Sequence, residues 1–151
     1  MDKYTWSLLN HLQIGRYAEY YAKMEFTLHG FYVFTAEVDD KGIDFIAKIN
    51  DQYFDVQVKS ARNNNYIFFL KDKFVLRSNL LATIVLFQDF QEPEILLVPS
   101  LDWESPNRLL VNRDYHGKKS RPEWGFSVTN NNKDQLLQYQ FDKVIESIKT
   151  K

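Results

Sequence analysis

The spacing of hydrophobic and polar positions changes period along the chain, and each change predicts a new element. From residue 2 to residue 29 apolar side chains recur at helical spacing, at Leu8, Leu9, Leu12, Tyr17, Tyr20, Tyr21 and Met24. Gly15 falls inside this helix and marks a break or a close packing point, since glycine weakens a helix interior by roughly 1 kcal/mol. His29-Gly30 stops the helix, with the glycine just past its last turn. Alternation then takes over and predicts a strand over residues 31–38. Asp39-Asp40-Lys41-Gly42 reads as a turn. Two further β-like runs, 43–49 and 53–61, flank the short polar turn Asn50-Asp51-Gln52 and predict an antiparallel hairpin. Asn63, Asn64 and Asn65 form a polar loop before a strand at 66–70.

Runs 80–88 and 94–98 are continuously apolar, as expected of strands covered on both faces of a sheet. Short β-like pieces follow at 109–111 and 126–128, separated by a loop at 114–125. A closing helix is expected over 133–149, with Leu137, Phe141, Val144, Ile145 and Ile148 as its packing stripe. Helix, central mixed sheet and helix together predict an α/β layered fold. The 151 residues suit a single domain spanning 1–151.

Composition narrows the chemistry. Net charge is −1, so any nucleic-acid binding must use a local basic patch and not the whole surface. The absence of cysteine excludes thiolate metal sites, disulfides and Cys nucleophiles, and suits a reducing cytoplasm. The N-terminus lacks the apolar core of a signal peptide. No run approaches the roughly 20 apolar residues of a membrane span. His11, His29 and His116 lack metal-like spacing, and neither G-x-S-x-G nor a P-loop occurs.

The hairpin carries the candidate chemistry. Residues two apart on a strand share a face, so Gln57 and Lys59 point the same way as Tyr53 and Asp55. Phe54, Val56, Val58 and Ser60 point the other way, towards a core. The short turn brings Asp44, at the head of the first strand, near Gln57 and Lys59. An acid, an amide oxygen and an ammonium thus converge on one patch, as a cation site beside a positive charge requires.

This order of residues resembles the PD-(D/E)XK nuclease superfamily, whose pattern is an acid at the start of one strand followed by D/E/Q-x-K on the next. Here it reads Asp44, then Gln57-Val58-Lys59, with Gly42 just before the acid. The family often has a first helix bearing a Glu, matched here by Gly15 and Glu19, so the resemblance covers residues 15–62. It implies a restriction-endonuclease-like mixed sheet flanked by helices, and an endonuclease that hydrolyses phosphodiester bonds in DNA with Mg²⁺ or Mn²⁺. It further implies that Asp44, Gln57, the Val58 carbonyl and Glu19 hold the metal, and that Lys59 orients the attacking water or steadies the phosphate charge.

The commoner third position is Asp or Glu, so Gln57 makes this a Q-x-K variant with less charge at the metal. Asp55, on the same strand face, is a candidate for the missing charge and otherwise an ordinary surface acid. Ser60, Arg62, Lys118, Lys119 and Arg121, with Arg108 and Arg113, are candidate nucleic-acid contacts. Trp103, Trp124 and Tyr115 are candidates for base stacking, with core packing or loop anchoring as their ordinary role. Cutting both strands needs two active sites, so a homodimer is expected, or a protein partner that supplies targeting. The competing expectation is a nuclease-fold module, weak or inactive in catalysis, that binds nucleic acid or a protein.

Overall fold

The first helix, α1, runs His11–Leu28 and begins at a capping box: Asn10 accepts from the Gln13 backbone and Gln13 reaches back to the Asn10 backbone. This computed structural model describes residues 2–35, 42–63 and 65–150. Residues 2–10, expected to be helical, hold only a short 3-10 turn at Trp6–Leu8. Gly15 neither breaks α1 nor packs closely, because a Cβ there would meet nothing within 4 Å. Ile14, Ala18, Ala22 and Phe26 form its buried face, while Leu12, Tyr20, Met24 and Leu28 stand exposed. The periodic apolar residues of the sequence therefore lie on two faces of this helix and not on one.

Strands β1 (Tyr32–Thr35), β2 (Phe45–Ile49) and β3 (Gln52–Arg62) follow. The expected continuation of β1 over 36–38, most of the turn at 39–42, and Asn64 lie outside the described residues. Next come β4 (Tyr66–Leu70), β5 (Leu80–Phe87), β6 (Glu94–Pro99), β7 (Leu110–Arg113) and β8 (Glu123–Ser127). A five-stranded sheet has the order β1-β2-β3-β5-β6, with β3 and β5 parallel and the other pairs antiparallel. All but one residue of β5 are buried, as its continuous apolar run requires of a central strand.

A second, three-stranded sheet has the order β4-β8-β7. It takes Glu123, Trp124 and Gly125 out of the loop expected at 114–125. Phe69, Phe74 and Trp103 pack together beneath it. Trp103 is fully buried and donates to the Gly125 carbonyl (2.8 Å), which fixes it as a core anchor. On the other side of the main sheet, Phe26 of α1 meets Phe45 and Phe141.

The closing helix is broken. A single helical turn, α2 (Lys133–Leu136), is followed by a 3-10 turn and then α3 (Phe141–Lys149). Gln140 is extended and bridges to Leu96 of β6, so the sheet edge competes with the helix for this backbone. The break turns Leu137 outward, to 56% exposure, and removes it from the packing stripe.

Candidate active site

Strands β2 and β3 pair in register from Ile49↔Gln52 to Phe45↔Val56, and Asp44 follows directly at the end of that ladder. At Asp44 the ladder changes character. Its N–H still donates to the Val56 carbonyl (2.9 Å), but its side chain, not a backbone carbonyl, accepts the Val58 N–H (Oδ2, 2.7 Å). The carboxylate thus takes the place of the departing strand. On a strand the N–H and C=O of one residue point to the same side. The Val58 carbonyl therefore projects towards the Asp44 edge as well.

Gln57 is almost fully buried, at 5% exposure. Its Nε2 donates to the carbonyl of Lys73 (2.5 Å), in the 3-10 turn Lys71–Lys73. A carbonyl only accepts, so the amide nitrogen must face it and Oε1 must face away. Gly42 closes the other side of this amide. A Cβ at Gly42 would lie 2.8 Å from Gln57 Nε2 and 3.2 Å from the Lys73 carbonyl oxygen, and its φ of +77° is unfavourable to any other residue. Neither constraint is visible in a motif search, although the Gly-Ile-Asp triplet hints at the second.

Lys59 lies two residues along β3 from Gln57, with Nζ 5.8 Å from the centre of the Phe69 ring. The 71–73 turn connects this region to the basic loop. Arg121 pairs with Asp72, and the Lys71 N–H donates to the Pro122 carbonyl (3.0 Å). Lys71 Nζ binds Asn112 and Asp114 and lies 4.0 Å from the Trp124 ring centre. The hydrogen bond from Lys71 holds the Asp114 carboxyl below its usual range.

Other expected residues stand elsewhere. Glu19 is ion-paired with Lys23 (3.1 Å), and Lys23 lies 5.9 Å from the Phe45 ring centre. Glu19 is therefore at the helix edge bordering the start of β2. Asp55 is held by Arg77 (2.7 Å). Ser60 and Arg62 fall on the α1 face, opposite to Lys59, by strand alternation. Arg62 there donates to the Leu9 carbonyl (2.6 Å). Lys118 and Lys119 are exposed on the loop between β7 and β8. Trp124 and Tyr115 are half-buried.

Among the described residues no three His, Cys, Asp or Glu converge as a metal cage. What the site offers is a set of hard oxygens: one carboxylate, one oriented amide oxygen and one backbone carbonyl. That set suits Mg²⁺, which prefers oxygen ligands and keeps several waters.

No protein-family model matches the chain, and no curated protein matches it. Among solved structures it is similar to a Holliday junction resolvase from the archaeal hyperthermophile Archaeoglobus fulgidus, at 12% identity and TM-score 0.55. That match covers 87% of this chain and 95% of the resolvase. It is also similar to a bacterial homing endonuclease, at 14% identity and TM-score 0.60, over 94% of this chain and 95% of that one. The chain has a restriction-endonuclease-like fold. In this restriction-endonuclease-like fold the Asp44 edge lies where β2 leaves β3, and that departure opens room beside the main-chain groups of Val58. Among the described residues no helix is long and apolar enough to cross a membrane.

Proposed function

We propose that this chain is a metal-dependent endonuclease that hydrolyses phosphodiester bonds in DNA, with a Q-x-K variant of the PD-(D/E)XK site. The observation that carries the reading is the joining of Asp44 and Val58 by a 2.7 Å hydrogen bond beside an amide whose oxygen is turned away from Lys73. Asp44, Gln57 Oε1 and the Val58 carbonyl would hold Mg²⁺ or Mn²⁺. Bound there, the metal supplies charge that stabilises the phosphate and lowers the pKa of a water. Lys59 positions the attacking water and stabilises the negative charge that grows on the phosphate. Arg121, Lys118 and Lys119 neutralise flanking phosphates on the loop tied to the 71–73 turn.

Asp44→Asn is the sharpest test. Asparagine keeps an oxygen to accept the Val58 N–H, so the fold persists while the charge is lost. Calorimetric titration should show Mg²⁺ or Mn²⁺ binding to the wild type and a large loss in the variant. Plasmid nicking should fall by at least about 100-fold, the scale of removing one preorganised electrostatic group. The reading fails if wild type cuts neither DNA nor RNA with either metal and the variant titrates like wild type.

Gln57 favours a second reading, since a neutral amide weakens a metal site: a nuclease-fold module that binds nucleic acid or a protein without turnover. Metal-dependent cleavage abolished by Lys59→Ala excludes it.

A further inference from the structure

The side of β1, β2 and β3 that faces away from α1 carries more than the candidate site. Register lines its residues up in rows. Tyr32 stands opposite Lys48, and Lys48 opposite Tyr53. Phe34 stands opposite Ile46, and Ile46 opposite Asp55. Beyond these rows Gln57 follows on β3, and Asp44 lies just past the end of β2, bonded to the Val58 N–H. On the reverse side Phe45, Ala47 and Val56 are fully buried, so the two faces of these strands are sharply unlike.

The rings of this face are open to solvent: Tyr32 is 70% exposed, Tyr53 55% and Phe34 50%. Exposed rings gathered on one patch mark an interaction site more often than chance packing. Lys48 Nζ lies 5.4 Å from the centre of the Tyr53 ring, so an ammonium sits inside the aromatic row. Four residues along β3 lead from Tyr53 to Gln57, about 14 Å at roughly 3.4 Å per residue.

We propose that Tyr32, Lys48 and Tyr53 form a stacking platform for unpaired nucleotides of the substrate, a few nucleotides from the phosphate held at Asp44. The proposal rests on reading the Asp44 site as a nuclease centre. Rings with one face to solvent accept any base by stacking, and an ammonium between them neutralises the phosphate that links two bases. Roughly 14 Å is at most about four nucleotides, because 3.4 Å is the spacing in a stacked duplex strand and unstacked nucleotides lie farther apart. Bases within a duplex already use both faces on their neighbours. The platform therefore selects DNA with a single-stranded or splayed segment beside the cut, and this is a specificity that the site residues alone do not confer.

Binding without cleavage tests this directly. Fluorescence anisotropy would use the Asp44→Asn protein in chelator, with three labelled DNAs: a single strand, a blunt duplex, and a duplex bearing an unpaired arm. Adding Tyr32→Ala and Tyr53→Ala should weaken the single strand and the armed duplex by about 10- to 100-fold, the scale of lost base stacking. The blunt duplex should be unaffected, and Tyr→Phe at both positions should restore binding. Both rings are exposed, so thermal melting should be unchanged. Equal loss on all three DNAs, no loss on any, or no binding of the single strand and armed duplex before the rings are removed would overturn the platform. Cleavage by the Asp44-intact protein separates the two readings. If it cuts duplex DNA while the rings matter to no probe, the platform alone falls. If the rings bind unpaired arms and no DNA is ever cut, the platform stands and the nuclease reading falls.

Discussion

The amide of Gln57 can be placed in two orientations, and the Lys73 carbonyl admits one of them. A glutamate at this position would set a second acceptor, and a charge, against that carbonyl in a pocket that leaves the residue 5% exposed. Buried acceptors without donors cost about 1–3 kcal/mol each. Gln57→Glu should therefore lower the melting temperature of metal-free protein, by about 3–10 °C at the usual conversion for a chain of this size. Saturating Mg²⁺ should recover part of the loss. A melting temperature equal to wild type in chelator would show that the carbonyl does not select the amide. The proximity of Asp44 to Val58 was legible because both belong to one hairpin, where spacing alone determines which residues meet. The Lys73 carbonyl was not legible, since it lies 16 residues from Gln57 and arrives by a loop that folds back.

At the scale of elements, α1 and the β2–β3 hairpin were readable because each carries its own period and its own stop signal. The three-stranded sheet was harder. Strands β7 and β8 have four and five residues, and β8 pairs with β4 across a long stretch of chain, so no local pattern announces them. The break at Gln140 is likewise a tertiary effect, set by the bridge to Leu96. Gly15 shows the opposite case, in which a residue invites a structural reason that the helix does not supply. Nothing lies within 4 Å of a Cβ there, and the backbone is helical. Gly15→Ala should then stabilise the protein by about 0.5–1 kcal/mol, the difference in helix propensity. Chemical denaturation would read this as a higher midpoint at unchanged slope. A lower midpoint would mean that α1 needs the freedom of glycine at this point.

For the whole molecule the unresolved demand is the outer face of α1. Leu12, Tyr20, Met24 and Leu28 are 73%, 55%, 58% and 77% exposed and, with Arg16, stand at four-residue intervals along the helix; each step turns by about 40°, so Arg16, Tyr20 and Met24 share a face and the two leucines flank it. Rows at this interval are the ridges that interdigitate when two helices cross at about −50°. This row is symmetric about Tyr20: a leucine stands eight residues to either side, and Arg16 and Met24 stand four to either side. A two-fold axis at Tyr20 would set the Arg16 stem against the partner's Met24, which suits a long side chain that packs its methylenes and keeps its charge in water. That self-complementarity fits a symmetric dimer, which the proposed nuclease would use to cut both strands. Tyr20→Glu with Met24→Glu places like charges at the centre of the proposed contact while leaving the buried face of α1 intact. In sedimentation at micromolar concentration the wild type should run as a dimer and the variant as a monomer with a near-wild-type melting temperature. Cleavage gives an independent reading of the same contact. On the proposed nuclease reading, a monomer keeps its own site and should still nick supercoiled plasmid, but it has no second site for the opposite strand. Linear product should therefore fall about tenfold or more while the first nick is largely retained, because the loss is one of mass action between subunits and not of chemistry. A wild type that is monomeric under these conditions, or a variant that linearises as readily as wild type, would remove α1 as the contact.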